Sequence, residues 1–420
     1  MCLTIPAKIK KIKGTTAEVI QGTKYNKINV SLLNNLNIGD WILYTNAWAI
    51  KKIDPTEAKE ILDVLEFHQP SEQEKMSPKL LNILAKARNN QLTKDEIVYL
   101  LNLERKEELE FLYSEADVVR QLNLKDFFCI HGIIEFSNYC KNHCHYCGLR
   151  CDNKNLKRYR LSINEIINLA VEAVNEKGYK LLVLQSGEDI YYTEERLIRI
   201  IKAIKKRSRV FIFLSIGERN YKCYKNLKKA GAGGVLFRFE TSNPKLYKKL
   251  HPKQSFKKRL EHLRWFKELC YFIATGSLIG LPNQTVEDLV DDILLLKKLN
   301  VPMVSSGPFI PCDNTPLARS QSGAVELNLK IIAIYRLLMP KVKIPVTSAL
   351  ETLDKINGKK KALLAGANSL MINLTPAKYR EHYLIYPNKY YQTSNVWEKY
   401  GLFKGDASYK MLESKLKVVI

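Results

Sequence analysis

Nowhere in the 420-residue sequence do apolar residues run on for the ~18 positions that cross a bilayer, so no transmembrane helix and no membrane partner are expected. The first residues, MCLTIPAKIK, set lysines where a secretory leader needs an apolar stretch, so the chain is expected to stay in the cytoplasm. Acidic residues are scarce beside basic ones, 43 against 67, which leaves a formal charge of +24. That excess is spread over residues 8–13, 202–209 and 359–361 without the interleaved aromatics of a nucleic-acid platform. Nucleic acid is therefore not an expected partner, whereas small anionic ligands suit the charge. An even, regularly spaced disulfide framework is also missing. The nine cysteines form one tight cluster and scattered singletons, which in a reducing compartment points to metal. With 46% hydrophobic and 26% charged residues, disordered and collagenous classes are excluded.

Residues 1–66 read as short alternating strands closed by a helix that opens at Asp54-Pro55, a small β-barrel module. Residues 67–79, polar and holding two prolines, read as a linker. Helical periodicity follows over residues 80–126. Eight apolar runs then recur between helix-length segments, at residues 130–136, 181–184, 210–214, 234–239, 272–279, 303–305, 344–347 and 369–372. The fold class is α/β: a TIM-type (β/α)8 barrel over residues 127–385, preceded by an all-β, OB-like domain and followed by a tail, residues 386–420. In such a barrel the C-terminal strand ends carry the chemistry.

Directly after the first barrel strand stand Cys140, Cys144 and Cys147, a C-x3-C-x2-C triad. Three thiolates can hold three irons of a 4Fe-4S cubane and leave the fourth open to a ligand. The alternative is structural zinc with a fourth ligand from His143, His145 or Cys151, although zinc knuckles generally pair two separated two-residue spacings.

The triad is the signature of the radical SAM superfamily. The surrounding motifs, Leu184-Gln-Ser-Gly-Glu-Asp189, Leu214-Ser-Ile-Gly-Glu218, Arg238-Phe-Glu-Thr-Ser-Asn243, Gly280-Leu-Pro-Asn-Gln-Thr285 and Gly307-Pro-Phe-Ile-Pro311, resemble the HydE family of FeFe-hydrogenase maturases, relatives of biotin synthase and methylornithine synthase. The resemblance implies an oxygen-sensitive enzyme with one 4Fe-4S cluster on the three cysteines. S-adenosylmethionine would chelate the open iron, and its one-electron cleavage would give a 5′-deoxyadenosyl radical for organometallic iron-cofactor assembly. It implies Glu240 on the ribose, Arg259 and Ser215 on the methionyl carboxylate, Tyr146 beside the adenine, and Ser186 and Gly187 presenting backbone groups. Arg238 joins this set, with a structural Arg238–Glu240 ion pair as the alternative reading. Thr347, Ser348 and Tyr386 match a lower substrate cavity or else fill the barrel. Phe213, where the family usually has threonine, marks an altered cavity wall and an altered substrate. The further alternatives are an amino-acid or thioether substrate, as for the methylornithine and biotin synthases, and a non-enzymatic metal-assembly scaffold.

Met1-Cys2-Leu-Thr-Ile-Pro-Ala-Lys-Ile9, the Ile38-Gly-Asp40 turn and Ala47-Trp-Ala-Ile50 resemble the HypC/HupF family of hydrogenase assembly chaperones. The resemblance implies a docking domain or, through Cys2, an iron carrier, although Thr45 stands where that family has a histidine ligand. The partners implied are hydrogenase assembly proteins, HypD-like or a scaffold maturase, together with a reductant such as ferredoxin or flavodoxin and a small anionic or organometallic substrate.

Overall fold

A computed structural model describes residues 5–21, 24–45, 48–66, 76–89, 91–125 and 127–390. Cys2, most of the expected linker and the tail beyond residue 390 lie outside the described residues. The chain divides into two compact units, residues 1–81 and 82–420.

In the first unit, β1 (Ile5–Lys13), β2 (Thr16–Gln21), β3 (Lys24–Asn29), β4 (Trp41–Thr45) and β5 (Trp48–Ile53) close a barrel in the order β1-β2-β3-β5-β4. Strand alternation turns Ala7, Ile9, Ala17, Val19, Ile28, Val30, Ile42 and Ala49 into one buried cluster. The helix Pro55–Glu66 starts as its sequence requires: Asp54 Oδ1 accepts from the amides of Thr56 and Glu57 at 2.8 and 2.9 Å, and Pro55, having no N–H, needs no acceptor.

The helix Pro78–Ala87 runs across the division, and in the second unit helices Lys94–Leu101 and Lys106–Leu124 precede the strands. Eight parallel strands follow: β6 (Cys129–Ser137), β7 (Leu181–Ser186), β8 (Phe211–Ser215), β9 (Gly234–Leu236), β10 (Phe272–Thr275), β12 (Met303–Val304), β14 (Pro345–Val346) and β15 (Ser369–Asn373). Their order is β12-β10-β9-β8-β7-β6-β15-β14. The Val304 amide donates to the Lys343 carbonyl at 2.9 Å and the Lys343 amide to the Pro302 carbonyl at 3.0 Å, which draws the two edges together as a near-closed barrel. Ser162, Thr193, Asn220, Asn243, Ser255 and Thr285 each cap a helix through a side-chain oxygen, so these starts are punctuated locally, whereas the helix Val325–Leu338 follows Ala324 without a side-chain cap.

The expected single strand over 272–279 is broken at Gly276. Its carbonyl accepts from the amides of Phe239 and Glu240, both at 3.1 Å, and a Cβ there would stand 2.1 Å from the Ser305 carbonyl oxygen. After the break a short pair forms, β11 (Leu278–Ile279) with β13 (Gly307–Pro308). The run expected over 234–239 likewise ends as a strand at Leu236; beyond it the Phe239 and Glu240 amides both donate to the Gly276 carbonyl, and Arg238 and Glu240 line the cavity.

Inside the large barrel the lower layers are apolar: Ile133, Leu181, Val183, Phe213, Ala274 and Met303 pack with Leu124, Phe127 and Cys129. Phe213 is 3% exposed, and its ring packs edge-on against His131 and Phe272. It therefore does not line the cavity above, contrary to the expectation that it marks a substrate wall. Ser215, two residues on and on the same strand face, does line it.

Candidate active site

At the C-terminal ends of the strands lies a cavity of about 320 Å³. Cys140 and Cys147 share its walls with Ser186, Gly187, Glu188, Ser215, Arg238, Glu240 and Arg259. The cysteine loop is fastened from several sides. The Lys141 amide donates to the Glu188 carbonyl, the His145 amide to the Leu250 carbonyl and the Gly148 amide to the Ile385 carbonyl, at 3.1, 2.9 and 3.0 Å. Arg158 gathers the carbonyls of Asn138, Leu149, Arg150 and Asn153 in one guanidinium fork. Arg158 sits within a run of basic residues, and nothing in the sequence separates it from its solvated neighbours.

Burial raises the Cys140 thiol. Burial and the neighbouring Cys147 and Cys140 raise the Cys144 thiol well above its ordinary value, and burial with Cys140 pushes Cys147 up to about 12. Three thiols that oppose one another's ionisation form a set that a cationic cluster would hold as thiolates. Among the described residues, the only three His, Cys, Asp or Glu ligand atoms lying within 4.8 Å of one another belong to His143, Cys151 and Asp152. Zinc–sulfur bonds of about 2.3 Å would bring tetrahedral thiolates to about 3.8 Å. The triad sulfurs do not all lie within 4.8 Å of one another, so they do not close around a single zinc ion.

Ser186 and Gly187 meet the cysteine loop directly. A Cβ on Gly187 would lie 2.3 Å from the Tyr139 carbonyl oxygen and 2.8 Å from Cys140 Cβ, so only glycine permits the approach. The Gly187 amide donates to the Ser137 carbonyl, and the Ser186 hydroxyl donates to the Gly187 carbonyl at 2.7 Å.

Glu240 occupies left-handed backbone at φ 68, a strained conformation for a residue other than glycine. It is held there by its own amide bond to Gly276 and by the Leu278 amide donating to its carbonyl at 2.8 Å. The structural ion pair is present, with Arg238 Nη2 3.2 Å from Glu240 Oε2, yet both groups also face the cavity. Four buried polar atoms in this neighbourhood make no hydrogen bond: Glu188 Oε2, Glu218 Oε1, Arg238 Nε and Glu240 Oε2. Buried polar atoms are ordinarily satisfied, so this set marks a site shaped for a polar ligand.

Arg259 donates to the Tyr247 hydroxyl at 3.0 Å, lies 3.6 Å from Glu218 Oε1 and stacks over Phe237. Burial alone would lower its pKa, but Tyr247, Glu188 and Glu218 hold it above the usual arginine value. Tyr146 lies in a second cavity of about 250 Å³ that shares Cys147, Arg238, Glu240, Thr347 and Ser348 with the first. Its hydroxyl is 2.9 Å from His251 Nε2. Burial and the nearby Arg259 push His251 down to about 3, and its Nδ1 lies 3.1 Å from the Tyr247 carbonyl. The ring is therefore neutral, with Nδ1–H donating and Nε2 accepting from Tyr146. The sequence carries no sign of this histidine's role.

Thr347, Ser348 and Tyr386 come together at the second cavity, where the Ser348 and Tyr386 hydroxyls are 2.7 Å apart. Sequence reasoning missed the buried pair of Glu135 and Lys389, which lines the first cavity and is joined by Asn373 Nδ2 donating to Glu135 Oε2 at 2.8 Å. A glutamate inside the apolar run 133–136 was the available signal. Cys312 is buried with Ile310, Ala349 and Tyr386, while Cys151 turns to His143 and Asp152.

Comparison with known proteins fits this arrangement. Residues 134–296 match the Radical SAM superfamily, residues 1–65 the HupF/HypC family and residues 307–399 the Biotin and Thiamin Synthesis associated domain. The chain is 45% identical over 307 residues to the FeFe hydrogenase maturase subunit HydE of Thermotoga maritima, covering 73% of this chain and 87% of that protein. It is 36% identical to a 3-methylornithine synthase of Methanosarcina acetivorans over 66% of this chain and 78% of that protein. The crystal structure of a methylornithine synthase superposes with a TM-score of 0.65 at 28% identity, covering 80% of this chain and 95% of that one.

Proposed function

The chain belongs to the HydE family of radical SAM enzymes and carries a HupF/HypC-family domain at its N-terminus, and from that premise we propose that it performs a radical step in the assembly of an organometallic iron cofactor for hydrogenase. The observation that carries this reading is the cavity in which two triad cysteines face buried, unbonded carboxylate and guanidinium atoms. Cys140, Cys144 and Cys147 would hold the single 4Fe-4S cluster. When bound, the cluster and S-adenosylmethionine supply one electron and a 5′-deoxyadenosyl radical.

The chain's own residues bind and orient. Glu240 accepts from the ribose diol, as a carboxylate suits, and its strained backbone keeps the oxygens over the cavity. Arg259 grips the methionyl carboxylate in its guanidinium fork, with Ser215 beside it, while Glu188 offers an acceptor to the methionyl ammonium. Gly187 and Ser186 hold the backbone close to the cysteine loop. Tyr146, fixed by neutral His251, flanks the adenine. Thr347, Ser348 and Tyr386, with Arg238 and the Glu135–Lys389 pair, present both charges and hydroxyls to a small substrate. That suits a cysteine-bound iron carbonyl cyanide unit, whose amino-acid part carries an ammonium and a carboxylate.

The N-terminal domain serves as the docking or iron-delivery module for hydrogenase assembly partners, and a ferredoxin or flavodoxin supplies electrons. Exposed Tyr25, Leu32, Ile38, Trp48 and Ile50 on that domain support a docking role. Anaerobic reconstitution with iron and sulfide, then dithionite and S-adenosylmethionine, tests the core of the reading. Release of 5′-deoxyadenosine that disappears in Cys144→Ala is the expected outcome. Undiminished release from Cys144→Ala would overturn the three-cysteine assignment. Deleting residues 1–66 is expected to lower product yield with assembly partners while leaving cleavage of S-adenosylmethionine intact.

A further inference from the structure

Three metal-binding side chains outside the triad converge on one point. Cys151 Sγ lies 3.2 Å from His143 Nδ1, Asp152 Oδ1 lies 3.1 Å from the same nitrogen, and Cys151 Sγ lies 3.7 Å from Asp152 Oδ1. We propose that His143, Cys151 and Asp152 form a second metal site, separate from the cluster, for a borderline divalent ion such as zinc(II).

The spacing is that of ligands around one ion. Zinc–ligand bonds of about 2.3 Å to sulfur, 2.05 Å to nitrogen and 2.1 Å to oxygen give tetrahedral edges of about 3.6 Å for S–N, 3.4 Å for N–O and 3.6 Å for S–O. The observed triangle matches these to a few tenths of an ångström. A nucleophile, base and orienting acid would instead place thiol and carboxylate on opposite ring nitrogens. Here the carboxylate lies on Nδ1 and the thiol, 3.2 Å from Nδ1 and 3.6 Å from Nε2, has the same nitrogen as its nearer neighbour.

Two of the three donors are also held in place from outside the group. The Cys151 amide donates to the Asn142 carbonyl at 2.9 Å, and Arg158 binds the Arg150 carbonyl at 2.7 Å. Arg150 Nη2 holds Asp152 by Oδ2 at 2.5 Å; Oδ2 also lies 2.9 Å from His143 Nδ1, and Oδ1 faces the imidazole at 3.1 Å and the thiol at 3.7 Å. Lys253 approaches the ring from the other side, 3.5 Å from Nε2, and takes no place among the three donors. The His143 and Asp152 side chains are 29% and 44% exposed, so solvent completes the fourth position and an ion enters without unfolding the loop.

Thiolate plus imidazole selects a borderline or soft ion over magnesium or calcium. Binding moves the thiol proton to solvent and changes no oxidation state. Because His143 lies between Cys140 and Cys144, an ion here pins the cysteine loop to the turn that follows it.

The test uses the full-length, cluster-reconstituted protein dialysed anaerobically against micromolar zinc chloride, with zinc and iron counted per chain. The expected result is one zinc beyond the cluster iron, with an absorption edge showing mixed sulfur, nitrogen and oxygen ligation. Cys151→Ala should weaken zinc by at least about tenfold with iron content unchanged, as should His143→Ala, and Asp152→Asn should weaken it less. Should His143→Ala also shed iron, Cys151→Ala decides alone. Cys2→Ala and Cys270→Ala should retain the zinc. Zinc uptake that survives Cys151→Ala, or that is lost in Cys2→Ala instead, would overturn the site while leaving the cluster and its chemistry untouched.

Discussion

The five-stranded barrel closes around Ala7, Ile9, Ala17, Val19, Ile28, Val30, Ile42 and Ala49, an apolar interior of small and branched side chains. The eight-stranded barrel fills only its lower layers this way, with Phe213, Met303 and their neighbours, and above them leaves Glu135, Arg238, Glu240 and Arg259 facing a cavity. An eight-stranded ring is just wide enough for side chains to fill. A polar upper half therefore sacrifices stability, and the lower plug has to offset it. The contrast teaches where to look for chemistry: at the layer where a barrel stops packing and keeps buried charges without full hydrogen bonding.

The boundary between plug and cavity can be broken at Phe213. Phe213→Ala removes a ring that fills the space above Gly234, whose own Cβ would stand 2.4 Å from it. The expected loss is about 3–5 kcal/mol of stability, read by denaturant unfolding, with cleavage of S-adenosylmethionine retained below the new midpoint. Loss of cleavage at unchanged stability would instead move Phe213 into the site.

A smaller effect comes from the buried imidazoles. Burial pushes His131 down to about 4, and burial with Arg259 pushes His251 down to about 3, from an ordinary 6.5. Both folded values lie below the unfolded one, so the unfolded chain takes up protons first. Stability is complete above pH 6.5 and is lost as pH falls toward 4 for His131 and 3 for His251. At pH 5 the loss is roughly 2 kcal/mol for each. Thermal melts of the second unit's transition between pH 7 and 5 should show it, and His251→Gln should flatten the slope.

Smallest of the three is Glu240→Gln. The substitution keeps size but removes charge from an oxygen without a hydrogen bond, so the fold should hold while S-adenosylmethionine binding weakens about tenfold, or ~1.4 kcal/mol. Equilibrium binding checks it, and equal loss of affinity and midpoint would reassign Glu240 to the fold.

Much of this layout is legible in the chain itself. Period-two runs place the five short strands, and the alternation of apolar runs with helical segments gives the parallel barrel and the strand ends where Cys140, Ser186, Ser215 and Glu240 stand. Local punctuation at Asp54 and Thr285 marks helix starts because capping acts within a few residues. Other features depend on contacts distant in sequence. The break at Gly276 arises from the neighbouring strand's need for its carbonyl, and Lys389 reaches Glu135 across 254 positions. Phe213 drew attention because the resembled family usually has threonine there, and a departure from a family pattern does not fix a residue's depth in the barrel.

The central claim is that the polar half of the large barrel binds S-adenosylmethionine against the cluster held by Cys140, Cys144 and Cys147. Electron paramagnetic resonance of the dithionite-reduced, reconstituted protein, with and without S-adenosylmethionine, tests it most directly. The account predicts a 4Fe-4S signal that shifts on adding S-adenosylmethionine in the wild-type chain and stays put in Arg259→Met. A cluster signal indifferent to saturating S-adenosylmethionine in the wild-type chain would contradict it.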